Sequence, residues 1–269
     1  MAAVLHGKPI AIDHLKSTVK KLVRTTAERM GFHLVPTRPD VNLVLRDLDE
    51  GQRQAVEAAR AFSATSLERL AAMVQATEHV VRQGVPGDIV ECGVWRGGSM
   101  MAAATRLRAL GDTSRRLFLY DTFEGMSEPT ERDQTLFGVS ARTILDLDQR
   151  GTGYWCYASL EDVQANLRST GYPEDKLVYV RGKVEETIPG RLPERIALLR
   201  LDTDWYESTK HELEHLYPLL SPGGILIIDD YGHWQGAREA VDEFLARTRT
   251  PLFLHRVDYT GRLAIKPAE

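Results

Sequence analysis

Cysteine is scarce: Cys92 and Cys156 are the only two among 269 residues. Two are too few for the disulfide framework of a small secreted fold, and their spacing is not that of a zinc site, so the expected compartment is the reducing cytoplasm. Long apolar runs are missing too. No stretch reaches the ~18 apolar residues that cross a bilayer, which argues against stable membrane insertion. Nor is there a basic excess, since 34 Lys and Arg stand against 38 Asp and Glu for a formal net charge of −4. A nucleic-acid partner calls for the opposite balance.

Near the N-terminus Lys16, Lys20, Lys21 and Arg24 interleave with Leu15, Val19, Leu22 and Val23. This is a basic amphipathic helix pattern without the uninterrupted apolar core of a signal peptide, and it suits an exposed or subunit-packing helix. Residues 1–50 are therefore expected to form a helical arm, and 51–269 a single α/β domain. A homo-oligomer, dimer or higher, is expected from the arm.

From Gln52 to Gln83 the pattern predicts two helices, with Thr65 or Ser66 as N-cap of the second. Strands are predicted at Gly87–Gly93, Arg116–Asp121, Leu177–Gly182, Ile196–Asp202 and Gly224–Asp230, with helices at Met100–Leu110, Leu160–Ser169, Glu207–Leu220 and Gln235–Arg247 between or after them. Such alternation implies a mostly parallel sheet covered on both faces. Pro251–Val257 and Arg262–Ile265 read as a terminal hairpin that adds an antiparallel edge strand. The polar, glycine-broken segment of about 125–158 interrupts the pattern. Its aromatic residues Phe137, Tyr154, Trp155 and Tyr157 favour a substrate lid over a linker.

Ligands of open α/β sheets sit beyond the carboxyl ends of the strands, where Glu91, Asp121, Asp202, Asp229 and Asp230 all fall. Any one of these acids alone reads sooner as a helix cap or turn former, a reading that their shared position makes hard to apply to all five. The glycine-rich stretch Gly93-Val94-Trp95-Arg96-Gly97-Gly98-Ser99 leads from strand to helix, which suits a nucleotide cofactor. It is neither the dinucleotide fingerprint nor the phosphate loop, since no lysine follows the glycine pair. Asp121 is placed to accept hydrogen bonds from ribose hydroxyls, and Glu91 to match the ammonium of S-adenosylmethionine. Asp202 and Asp204 with Asp229 and Asp230 suit a hard divalent cation, with magnesium expected. The alternative is that Asp204 caps the following helix while Asp229 and Asp230 form a turn. Asp202 is the first candidate for general base and His233 the second.

The run Gly87-Asp88-Ile89-Val90-Glu91-Cys92-Gly93-Val94-Trp95-Arg96-Gly97-Gly98-Ser99 resembles the macrocin O-methyltransferase family. So do Tyr120-Asp121-Thr122-Phe123-Glu124-Gly125-Met126, Gly182–Pro189, Leu199–Asp204, Leu220–Gly224 and Ile227–Tyr231. The resemblance runs from about Phe62 onward, with Ser63 standing where threonine is expected. It implies a Rossmann-like class I methyltransferase with a mostly parallel seven-stranded sheet, an antiparallel edge strand, N-terminal helices and a lid. It implies S-adenosylmethionine as cofactor, contacted by Thr65, Ser66, Glu91, Gly93, Val94, Trp95, Arg96, Gly97, Ser99, Asp121, Thr122, Phe123, Gly125, Gly182 and Asp202, with Ser159 and Leu160 flanking the adenine. It also implies magnesium on Asp202, Asp229 and Asp230, and a sugar hydroxyl as acceptor. A catechol-type enzyme is the rival; a lysine close behind Asp202 would favour it, but Trp205 and Tyr206 stand there. A non-catalytic cofactor-binding protein is disfavoured by the intact acids.

Overall fold

Capping side chains mark where the helices begin. Asp49 and Gln52 form a reciprocal capping box ahead of α1 (Glu50–Ala59), each side chain accepting the other's backbone N–H at 2.8 and 3.0 Å. The Ser66 hydroxyl accepts the Arg69 N–H at 3.1 Å and starts α2 (Leu67–Arg82). The computed structural model describes residues 45–148 and 155–267, together with Val23, Thr25, Thr26 and Arg29. Apart from Val23, the expected basic helix over Lys16–Arg24 lies outside the described residues, as does Tyr154 of the expected lid. The chain divides into two units, Met1–Val44 and Leu45–Glu269; the sheet and every residue of the candidate site belong to the second.

Alternation then follows: β1 (Asp88–Cys92), α3 (Gly98–Ala109), β2 (Leu117–Asp121), α4 (Ala141–Leu147), α5 (Leu160–Ser169), β3 (Leu177–Arg181), α6 (Val184–Thr187), β4 (Ile196–Leu201), α7 (Tyr206–Leu216), β5 (Leu220–Ile228), α8 (Gln235–Thr248), β6 (His255–Arg256) and β7 (Arg262–Ile265). The seven strands lie in the order β3-β2-β1-β4-β5-β7-β6. The first five are parallel, and β7 runs antiparallel to β5 and to the two-residue edge strand β6. The expected α/β architecture is met. The expected hairpin is shorter than predicted on its first arm: of Pro251–Val257, only His255 and Arg256 pair with β7, and Phe253 is exposed.

Apolar strands are buried because helices cover both faces. Ile196, Leu198 and Leu199 of β4 and Leu117 and Leu119 of β2 are fully inaccessible. Each such side chain contributes about 1.5–3 kcal/mol over an exposed one. Strand order reverses between β1 and β4, which opens a crevice at their carboxyl ends. Gly93 is required there: its φ is +80°, and a Cβ would lie 1.9 Å from the Asp202 carbonyl oxygen.

Candidate active site

The turn after β1 is held by Asp121. One carboxylate oxygen accepts the N–H groups of Val94 at 2.6 Å and Trp95 at 3.0 Å, and the other accepts that of Phe123 at 2.7 Å. Burial pushes the carboxyl pKa up, against the lowering effect of these three donors. The acid expected to meet ribose thus also fixes the loop. The oxygen that accepts from Phe123 also lies 3.5 Å from the Thr122 hydroxyl.

Beneath the turn lies a charge network. Arg200, only 3% exposed, donates to Glu91 at 2.5 Å, Asp202 at 2.6 Å and Asp229 at 2.5 Å. Charges this deep are tolerated only when matched. Burial pushes the Glu91 carboxyl up to about 7, with Arg200 pulling against it, and its Oε2 is buried without a hydrogen-bond partner. A second guanidinium, Arg69, pairs with Asp229 and, at 3.0 Å, with Asp258. The Thr65 hydroxyl lies 3.5 Å from both Asp229 oxygens.

Asp202, Asp204 and Asp230 converge, each offering an oxygen within 4.8 Å of the others. Asp204 adopts φ +67°, which turns the chain between β4 and α7. Burial holds its carboxyl near 7, opposed by hydrogen bonds with Asp230 and Trp234. Burial and the neighbouring acids push Asp202 and Asp230 up as well, and Asp230 Oδ2 is buried without a partner. Three clustered carboxyls with one oxygen unmet form an oxygen donor set that fits a hard divalent cation. Asp204 stands in it, whereas Asp229, expected as a metal ligand, is engaged by Arg200, Arg69 and Thr65.

A cavity of about 390 Å³ joins the turn to these acids. Of the expected residues, Thr65, Gly93, Val94, Trp95, Ser99, Asp121, Thr122, Gly125, Gly182, Asp202, Asp229, Asp230 and His233 line it.

A profile of the macrocin-O-methyltransferase (TylF) family matches residues 9–264. The chain belongs to the macrocin O-methyltransferase family. It is 39% identical over 204 residues to the 8-demethyl-8-(2,3-dimethoxy-α-L-rhamnosyl)-tetracenomycin-C 4′-O-methyltransferase of Streptomyces olivaceus, covering 75% of this chain and 74% of that one. It is 32% identical over 241 residues to the mycinamicin III 3″-O-methyltransferase of Micromonospora griseorubida, covering 90% of each. The solved structure of the O-methyltransferase NovP superposes with a TM-score of 0.68 at 30% identity, over 81% of this chain and 88% of that one. The protein is thus an O-methyltransferase on the S-adenosylmethionine-dependent fold.

Other residues expected at the cofactor of this macrocin O-methyltransferase do not line the cavity. Ser66 caps α2 and donates to Asp258 at 2.7 Å, and Glu91 lies below the floor on Arg200. Arg96 pairs with Asp162 at 3.0 Å and lies over the Phe62 ring, while Gly97 precedes α3 in the left-handed region. Phe123 is buried, and Ser159 caps α5, which begins at Leu160.

Arg69, Arg200 and Asp133 are functional-site neighbours outside the expected set. Arg200 had a visible signal, the lone charge in an apolar strand. Arg69 had none, because its partner Asp229 is 160 positions away. Asp133, wholly buried in the insertion, accepts the Thr130 N–H at 2.7 Å and the Tyr206 N–H at the start of α7 at 2.8 Å. Gly236 makes room for it: a Cβ there would lie 2.2 Å from the Asp133 carboxylate. The Trp205 indole donates to the Ser127 carbonyl at 2.9 Å, and Leu136 N–H to the His233 carbonyl at 3.0 Å. The described part of the insertion is therefore fastened to the loops that carry Asp204 and His233. Burial, then Arg69, lowers the pKa of His233, which favours the neutral imidazole.

Proposed function

We propose that this O-methyltransferase transfers the methyl group of S-adenosylmethionine to a hydroxyl of a sugar, with magnesium at the acid cluster. The reading rests on one observation above all: Asp202, Asp204 and Asp230 converge in the same cavity as the Gly93–Trp95 turn. Tetracenomycin and mycinamicin glycoside methyltransferases among the relatives support the sugar acceptor.

S-adenosylmethionine supplies an electrophilic methyl group on a sulfonium, and a divalent cation supplies a Lewis acid that lowers the pKa of a weakly acidic hydroxyl. The chain does the rest. Val94 and Trp95, fixed by Asp121, line the cofactor's side of the cavity, and Asp202, Asp204 and Asp230 would hold the cation at the other. Asp229 stays behind them, paired with Arg200 and Arg69. Asp202 has one oxygen on Arg200, and its other oxygen is the first candidate to take the hydroxyl proton. His233, half-buried and lining the cavity, is the second. Fixing acceptor and donor in line lets positioning do much of the work.

We further propose a cytoplasmic homo-oligomer, with the N-terminal unit, residues 1–44, as an arm. Among the described residues no helix is long and apolar enough to cross a membrane.

The test is methyl transfer from labelled S-adenosylmethionine to a panel of glycosides and catechols, with magnesium and with EDTA. Magnesium-dependent label on a sugar supports the reading. Label on catechols alone, or transfer undiminished by EDTA, contradicts it.

A further inference from the structure

A buried acid on α7 stands outside the chemistry above. Glu212 is wholly inaccessible, and it meets the loop between β4 and α7 at Thr203, the residue between Asp202 and Asp204. The Thr203 hydroxyl donates to Glu212 Oε1 at 2.9 Å, and Cys92, the last residue of β1, lies against the same carboxyl. Glu212 Oε2 is buried without a hydrogen-bond partner among the described residues. Burial pushes the carboxyl pKa well up against the Thr203 hydrogen bond, and Glu185 and Asp230 add to the rise, which favours the neutral acid.

Core positions of a helix are ordinarily apolar, as Leu213 and Leu216 are here. An acid in their company costs stability, because one oxygen is desolvated and unmatched. Leucine would pack there at lower cost but would offer Thr203 no acceptor. That hydroxyl is one of several ties on the loop. The Thr203 carbonyl accepts the Trp205 N–H at 2.8 Å, and the Asp202 N–H donates to the Cys92 carbonyl at 2.9 Å. On the other side of Thr203, Asp204 is held in the left-handed region at φ +67°, which its surroundings must enforce. Asp202 and Asp204 flank this fixed point and converge with Asp230.

We propose that Glu212 is a positioning residue for the acid cluster: by accepting the Thr203 hydroxyl it holds the Asp202 and Asp204 carboxyls at the spacing a divalent cation requires. It touches neither cation nor cofactor and acts through Thr203, as an outer partner orients a metal ligand. This inference rests on the cation reading above. It gives the buried acid a purpose that packing alone does not.

Two binding measurements test it on wild type, Glu212→Gln, Glu212→Leu and Thr203→Val. Mn²⁺ binding is followed by its paramagnetic resonance signal, and S-adenosylhomocysteine binding by calorimetry. Glutamine keeps an oxygen acceptor of the same reach, whereas Glu212→Leu removes the acceptor and Thr203→Val the donor. Mn²⁺ affinity is expected to fall at least about tenfold in Glu212→Leu and in Thr203→Val, and to stay within about twofold of wild type in Glu212→Gln. S-adenosylhomocysteine affinity is expected to hold in all of them, which a general loss of fold would not allow. If Glu212→Leu fails to fold, Thr203→Val decides, because it leaves the buried acid in place. Wild-type Mn²⁺ affinity in Thr203→Val, equal losses in Glu212→Gln and Glu212→Leu, or parallel loss of both ligands in Thr203→Val overturns the inference. A wild-type protein that binds S-adenosylhomocysteine and no Mn²⁺ strikes instead at the cation reading and removes this inference with it.

Discussion

Arg200 donates to Glu91 across 2.5 Å in the floor of the site, with side chains 3% and 1% exposed. The same guanidinium reaches Asp202 and Asp229, so one buried cation links the strand below the cofactor turn to both strand ends that bear the acids. Removing it leaves Glu91 and Asp202 without their guanidinium and Asp229 with Arg69 alone. Arg200→Met is expected to lower the unfolding free energy by about 3–5 kcal/mol, measured by urea denaturation. A loss below about 1 kcal/mol would show that the network is not a buried ion cluster in solution.

Asp258 ties the turn before β7 to α2. It accepts N–H groups from Thr260 and Gly261 at 2.9 and 2.7 Å and pairs with Arg69 at 3.0 Å. Burial raises its carboxyl pKa, but these donors outweigh it and hold the folded value below the ordinary one. A depressed folded pKa adds stability that is present above the unfolded value, about 3.9, and lost as pH falls through the folded one. Asp258→Asn should therefore destabilise the protein at pH 7 and flatten the acid limb of its stability profile below about pH 4. A variant whose acid limb keeps the wild-type slope refutes this assignment.

Asp133 joins the insertion to the first turn of α7. Asp133→Ala leaves the Tyr206 and Thr130 N–H groups without their acceptor and should cost about 1–3 kcal/mol. Because Asp204 lies two residues before Tyr206, the same change should weaken binding of Mn²⁺, followed by its paramagnetic resonance signal. S-adenosylhomocysteine affinity should hold. Mn²⁺ binding equal to wild type would confine Asp133 to a structural role.

The structure also separates two neighbours in sequence, Asp229 and Asp230. Asp204→Asn and Asp230→Asn are expected to reduce Mn²⁺ affinity by at least about tenfold, since each removes a charged oxygen ligand. Asp229→Asn is expected to act mainly on stability by removing one charged partner from each of Arg200 and Arg69. Stronger loss of Mn²⁺ in Asp229→Asn than in Asp204→Asn would return Asp229 to the cation.

Much of this was legible in the sequence because it is periodic or local. Apolar strands ending in acids, a glycine turn before a helix and the hydroxyl cap at Ser66 depend on nearby residues, and they place the crevice. What was not legible depends on distance in the chain. Arg69 reads as one polar position on an amphipathic helix until β5 brings Asp229 against it. Asp133 reads as one acid in a polar insertion until α7 presents an unmet N–H. The roles of Asp204 and Asp229 depend on which carboxylate the buried guanidiniums reach, and side-chain direction at a strand end is set by packing that spacing does not encode. The first arm of the hairpin was overestimated because Pro251–Val257 has strand-like composition, whereas β7 has partners for only two of its residues.

Asp202 carries the central claim, as the acid expected both to hold the cation and to take the hydroxyl proton. The most direct measurement is calorimetric titration of wild type and Asp202→Asn with S-adenosylhomocysteine and then magnesium, paired with a methyl-transfer assay on the best glycoside. Near-wild-type affinity for S-adenosylhomocysteine, with magnesium binding lost and turnover reduced by at least about a hundredfold, is the predicted result for removing a group that acts on the reacting hydroxyl. An Asp202→Asn enzyme that binds magnesium and turns over like wild type would contradict the account.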